Sequence, residues 1–284
     1  SISAVLIATL NSHNIFFIPA ITPIIFSLSV ISSILLLHNY IGVFSMAVGV
    51  LLGGVLQILF QSPQFKKIGY DFSLDFNFKN EYFKRIIRQW LPVVATASIF
   101  TINQQIAIRF ATGLEIGSSS TLSYALVFFQ LPYGIFSASI TTVLFPRMSR
   151  QASINDTDGL RESLQYGIRF LVTVLIPSAV ILTILSKEII SVAMFRGVFT
   201  RENTLLTSRI LIAYVIGLFS VGCFHFLQRF FYSLGDYKTP FYLALIVCIL
   251  DVGLSLWLKE TWLRVIGLAV ANTCSFTFGL FIMI

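Results

Sequence analysis

Apolar residues along this chain come in long blocks, not in the period-two alternation of a strand or the narrow stripe of a surface helix. About 20 apolar residues are what an α-helix needs to cross a bilayer. Blocks of that length predict spans near residues 19–38, 41–61, 86–112, 120–145, 160–185, 205–232, 240–258 and 262–284, with a partial helix over 1–11. The expected fold class is therefore all-α, a polytopic helical membrane protein of eight full spans and one fragment. Ser1 to Asn11 lack the basic start and small-residue cleavage site of a signal peptide. The chain stops inside the apolar run Phe276 to Ile284, so both ends are expected to be interior to a longer polypeptide.

Composition agrees with the pattern. Of 284 residues, 56% are hydrophobic and only 11% charged, against roughly 25% charged in an ordinary soluble domain. That is too few charges to clothe a water-facing surface, so the solvent around most of the chain is lipid. The net charge of +7 reads as a topology signal. Lys66, Lys67, Lys79, Lys84, Arg85, Arg88, Arg147, Arg150, Arg161, Arg169, Arg229 and Lys238 all fall on one side of the predicted spans. The other side holds Lys187, Arg196, Arg201, Arg209, Lys259 and Arg264. Twelve against six makes the first side cytoplasmic, because short basic loops are retained there. No nucleic-acid module is present in the sequence.

A weak repeat accompanies these spans. Asn14 to Pro19, an apolar span and Ile41-Gly42-Val43 are echoed by Asp236 to Pro240, an apolar span and Ile266-Gly267-Leu268, at offsets of 221 and 225 residues. Six helices fill that period and the echo keeps the same orientation, the arrangement of transporters whose two six-helix halves are related by an axis along the membrane normal.

Enzyme chemistry finds no footing. His13, His38 and His225 lie far apart with no Cys, Asp or Glu at ligand spacing, and GxSxG, P-loop and HExxH motifs are missing. His225 reads as a packing or interfacial residue. Cys223, Cys248 and Cys274 are odd in number and sit in apolar runs, so neither a disulfide framework nor a metal site is expected.

Polar groups inside spans are costly, and they mark cavities or helix contacts. The first cluster is Asn103, Gln104 and Gln105 with Arg109. Gln105 and Arg109, four apart, share a helix face from which Asn103 is turned away. That face suits an anionic headgroup; alternatively Arg109 snorkels to the interface and the amides tie helices together. The second is Gln130 with Pro132, where proline frees a carbonyl and predicts a kink with a polar notch, a hinge or a plain bend. The third is Asp251 with Ser255 one turn later and Asn272 in the next span. These are hard oxygen ligands suited to Na⁺ or a proton, or else a hydrogen-bonded or Arg109-paired structural carboxylate. The fourth, Gly235, Asp236, Lys238 and Pro240, reads as a cytoplasmic turn into a helix and is chiefly structural.

Four ordered segments carry a family resemblance: LNSHNIFFIPAITP from Leu10, QLPYGIFSASITTVLFPRMSR from Gln130, FRGVFTRENTLLTSRILIAYVIGL from Phe195 and FYSLGDYKTP from Phe231. Each resembles part of the MviN/MurJ family, lipid II flippases of the multidrug/oligosaccharidyl-lipid/polysaccharide exporter superfamily. The resemblance implies two pseudo-symmetric six-helix lobes around a central cavity, working by alternating access in the bacterial inner membrane. On that template the chain runs from the fourth family helix to the twelfth. Residues 1–61 end the N-terminal lobe, which is incomplete here, 62–85 form a cytoplasmic linker and 86–284 form the C-terminal lobe. Implied partners are lipid II or a related polyprenyl-pyrophosphate-linked glycan and the bilayer, with a monomeric protein, no enzyme activity and Na⁺ or H⁺ coupling in place of a cofactor. The chain departs from the family where an Asp-Arg pair precedes the (Glu/Gln)-x-Pro motif: it has Leu126 and Val127 there, while Gln130 and Pro132 fit. Arg109 on the neighbouring helix is the candidate to supply the missing charge. The family's cation site between its seventh, eleventh and twelfth helices loses its seventh-helix acid, which falls at Ala107, and leaves Asp251 to carry more of it. Another lipid-linked glycan or a small molecule as cargo, and a non-transporting scaffold, are the alternatives.

Overall fold

The computed structural model describes residues 2–13, 15–70, 81–197 and 199–284, all helix and connection, with the side chains of Tyr82, Arg85 and Gln89 also left aside. Asn14, Lys79 and the middle of the 62–85 segment, all used in the sequence reading, lie outside the described residues. Among the described residues, seven helices are long and apolar enough to span a bilayer, and eight if a bent pair counts as one span. The chain is a polytopic all-α membrane protein. It divides into two compact units, Ser1–Asn77 and Phe78–Ile284.

The first unit comprises α1 (Ile2–Ser12), α2 (Phe17–Ile41) and α3 (Phe44–Lys67). Lipid tails are as apolar as leucine, so helices in a membrane associate by close packing and polar contacts. Both operate here. Gly49 and Gly53 face α2 so closely that a Cβ on Gly49 would lie 2.8 Å from the Val30 Cα, and one on Gly53 would lie 2.8 Å from the Phe26 ring. Around that contact Ser33 donates to the Ser45 carbonyl at 2.7 Å, and Ser29 donates to that of Gly49 at 3.2 Å. Gln61 on α3 donates to the Ser3 hydroxyl of α1 at 2.9 Å. Leu35, Leu36 and Leu51 point outward, as a lipid-facing surface requires.

The second unit begins with α4 (Glu81–Thr112), which starts five residues before the apolar block at 86 because its first turn is polar. Next comes one 36-residue span, Ser118–Ser153. It is built from α5 (Ser118–Pro132), a π-helical turn (Tyr133–Ala138) and α6 (Ser139–Ser153). At Pro132, where a kink is expected, the regular helix gives way to this wider turn, which begins at the next residue. α7 (Thr157–Ile184) opens on Asp156, whose carboxylate accepts from the Gly159 N–H at 2.9 Å.

α8 (Ser186–Met194) follows in what the apolar pattern left as a connection, being too short for a span. The span expected at 205–232 is two helices, α9 (Arg201–Ile216) and α10 (Leu218–Ser233), bent by 46°. The cause lies on the last helix. Thr273 donates to the Ala213 carbonyl at 2.6 Å, and a Cβ on Gly217 would meet the Thr273 hydroxyl at 2.8 Å. A side chain inserted at the ladder bends a helix at that point. α11 (Lys238–Leu258) and α12 (Val265–Met283) complete the unit. Its core gathers Leu122 and Phe129 of α5, Leu171 and Leu175 of α7, Leu211 of α9, and Phe224 and Phe226 of α10.

Candidate functional site

Three spans bring their intramembrane polar residues to one point. Asp251 of α11 is 3% exposed and Asn103 of α4 is 6% exposed. Asn103 Nδ2 donates to Asp251 Oδ2 at 2.6 Å, and Asn272 Nδ2 of α12 donates to the same oxygen at 2.9 Å. The Ser255 hydroxyl donates to Asp251 Oδ1 at 3.4 Å, and the Cys248 thiol reaches Asn103 Oδ1 at 3.6 Å. A buried carboxylate needs such donors, since an unpartnered charge in a low-dielectric interior is strongly disfavoured. Arg109 is not among its partners, so the Arg109-paired reading of Asp251 is set aside.

The helical repeat explains the sorting of the first cluster. Asn103 faces Asp251, whereas Gln105 and Arg109, turned to another side of α4, line a hollow of about 400 Å³ with Thr101, Ile102, Ile106 and Phe110. Asn103, grouped in the sequence with the substrate-cavity residues, thus stands in the carboxylate cluster instead. Gln104 is exposed and borders neither feature. Arg109 forms no ion pair among the described residues. The α4 residue that meets Asp251 is Asn103, an amide one turn before Ala107, the position where the resemblance puts the family's acid.

Gln130 is exposed on α5 and does not border the Arg109 hollow, and Pro132 is buried. Leu126 packs against the core and Val127 faces outward. His225 is enclosed by the rings of Phe100, Tyr133 and Phe276, and its Nδ1 lies 3.0 Å from Gln228 Oε1, in keeping with a packing role. No group of three His, Cys, Asp or Glu able to hold a metal occurs among the described residues.

At the opposite end of α11, Gly235 takes a left-handed φ of +77° that closes the turn. Asp236 then accepts from the N–H groups of Lys238 at 3.0 Å and Thr239 at 3.1 Å. The Thr239 hydroxyl, with these two N–H groups and the Lys238 charge, holds the Asp236 carboxyl below the usual carboxylate range. Pro240 sits buried in the first turn of α11, where its missing N–H is not needed.

One feature on the far side had no sequence signal. Glu115, between α4 and α5, pairs with Arg264, which precedes α12. Arg264 has a φ of +45°. The two residues are 149 positions apart, beyond the reach of any local pattern.

Comparison with known proteins extends these observations. The family model described as lipid II flippase MurJ matches residues 1–284. A probable lipid II flippase MurJ of Borreliella burgdorferi is 37% identical over 276 residues, covering 97% of this chain and 54% of that protein. Its counterpart in Rickettsia prowazekii is 30% identical over 281 residues, covering 99% and 55%. The chain therefore spans about half the length of the curated relatives it matches. A solved structure of lipid II flippase MurJ in an inward closed conformation superposes with a TM-score of 0.74 at 30% identity, over 99% of this chain and 58% of that one. A Vibrio cholerae MATE transporter gives a TM-score of 0.79 at 11% identity, over 99% and 64%, a likeness of fold alone. With all 284 residues matched by the family model and a relative 37% identical over 97% of the chain, the chain belongs to the lipid II flippase MurJ family.

Proposed function

We propose that this chain works within a flippase that carries lipid II from the cytoplasmic to the outer leaflet of the bacterial inner membrane by alternating access, acting as a monomer. The match of the whole chain to the family carries this reading. No covalent bond is made or broken, so the task is transport and not catalysis. In this reading the Gln105–Arg109 face of α4 supplies the positive charge that a pyrophosphate headgroup needs, in place of the Asp-Arg pair that Leu126 and Val127 lack. Asp251 is the coupling site. One carboxylate with a hydroxyl and two amides suits a monovalent cation, and we take Na⁺, a hard ion that prefers oxygen ligands. Both amides donate N–H to Asp251 as they stand. Turning either about its Cβ–Cγ bond would present Oδ1 to the ion instead. Each charge moved across 100 mV is worth about 2.3 kcal/mol, enough to bias the cycle.

The test is complementation. The full-length protein should restore growth to flippase-depleted bacteria and clear lipid II from the inner leaflet. Arg109→Ala should fail to do so while reaching the membrane in normal amount, since its side chain is exposed and unpaired among the described residues. Normal rescue by Arg109→Ala would remove that residue from the mechanism. Accumulation of lipid II despite wild-type expression would remove the flippase reading itself.

A further inference from the structure

The Asp251 cluster has a direction. On α11, Asp251, Ser255 and Lys259 follow at intervals of four and share one helix face. Asp251 and Ser255 are buried, and the Lys259 ammonium lies over the Phe110 ring of α4 at 5.1 Å from its centroid. On α4 the matching face runs from Asn103 through Ala107 to Ala111, with Leu114 following in the connection after the helix. These rows end at a hollow of about 310 Å³ lined by Leu114, Glu115, Lys259, Glu260, Thr261 and Arg264. At 1.5 Å per residue, the eight positions from Asp251 to Lys259 span about 12 Å. The hollow therefore stands directly above the carboxylate, on the side opposite Arg147 and Arg150. Its rim is charged and self-neutralised: Glu115 pairs with Arg264, and Lys259 Nζ lies 3.5 Å from Glu260.

We propose that the cation reaches Asp251 from the side of the membrane opposite the basic loops, through the hollow at the ends of α4, α11 and α12, with Lys259 as its electrostatic gate. This rests on the reading of Asp251 as a cation site. Lys259 places a positive charge on the line of approach, and Ser255, buried one turn beneath it, is the first side-chain oxygen on this face of α11 below the hollow. The Glu115–Arg264 pair sets the rim potential: Glu115 attracts a cation to the mouth only when Arg264 does not neutralise it.

The signs follow from Coulomb's law. A unit charge about 12 Å from the ion, at an effective dielectric between that of a protein surface and water, changes the rate of access about two- to tenfold. ²²Na⁺ uptake would be followed in proteoliposomes of the full-length protein, all facing one way, with choline chloride holding ionic strength constant. Lys259→Met and Arg264→Gln should each speed binding from the outer side by that factor, and Glu115→Gln should slow it. High choline should shrink all three effects. As a second measurement, Ser255→Cys in a background without the three native cysteines should react with a membrane-impermeant cationic thiol reagent added outside, faster when Lys259→Met is also present. Na⁺ binding with rates indifferent to all three substitutions would overturn the path, as would labelling of Ser255→Cys only from the basic-loop side. Absence of Na⁺ binding by the unaltered protein would instead overturn the cation site beneath it.

Discussion

Asp251→Asn separates structure from coupling, because it keeps the size and shape of the side chain while removing its charge. In the native cluster the carboxylate accepts from Asn103, Asn272 and Ser255 and is 3% exposed. An ion that binds only the folded state stabilises it by RT ln(1 + [L]/Kd), about 2.7 kcal/mol at one hundred times Kd and about 4.1 at one thousand. Asp251→Asn should lose that increment altogether, since neutral oxygens alone compete poorly with water for Na⁺. Its stability in choline should stay near that of the native protein, because the amide keeps most partners. Asn103→Ala acts differently: it deletes a 2.6 Å hydrogen bond to a charged group, at a cost of about 1.5–3 kcal/mol that choline does not mask. Thermal unfolding of the purified protein across a Na⁺ titration at fixed ionic strength reads both. An equal Na⁺-dependent shift in Asp251→Asn and the native protein would refute the assignment.

Three further outcomes test other parts of the fold. Gly49→Leu should separate α2 from α3, since even a Cβ there meets the Val30 Cα at 2.8 Å; a loss of about 1–3 kcal/mol in denaturant unfolding is expected. Asp236→Ala should cost about 0.5–2 kcal/mol at neutral pH by removing the acceptor for two N–H groups of α11. The folded-state carboxyl lies below its ordinary value of 3.8, so its contribution is present above that pH and fades as pH falls through the folded value; the difference between variant and native protein should close in acid. Thr273→Val should cost about 0.5–1.5 kcal/mol and reduce the 46° bend at the junction of α9 and α10, measurable as a changed distance between spin labels on the two helices.

Length and hydropathy revealed the spans, because a bilayer imposes its thickness on any sequence that crosses it. The face shared by Gln105 and Arg109 was equally legible, since 3.6 residues per turn is a local property. What escaped is what distance along the chain conceals. Asn103 meets Asp251 across 148 positions, and nothing near Asn103 distinguishes a carboxylate partner from a cavity. The nine residues of α8 are too few to register against spans twice their length. At Pro132 the sequence reports only that one carbonyl loses its donor. That the chain widens into a π turn there depends on what packs against it, including Ser137, whose hydroxyl donates to the Gly222 carbonyl of α10 at 3.3 Å.

The carboxylate cluster and the broken span share an element. Asn272 and Thr273 are consecutive on α12, about 100° apart around its axis. The first donates to Asp251 on α11, and the second donates to the Ala213 carbonyl at the bend of α9 and α10. Two residues further, Ser275 is fully buried, and Thr277 donates to the Ser220 hydroxyl of α10 at 3.0 Å. α12 is thus held on one flank by the carboxylate and on another by the broken span, with Gly217 allowing the close approach. A rotation of α12 large enough to withdraw Asn272 from Asp251 also withdraws Thr273 from Ala213, because adjacent side chains on a helix turn as one body. The hydrogen bonding of the carboxylate and the geometry of α9 and α10 are therefore linked through a single backbone.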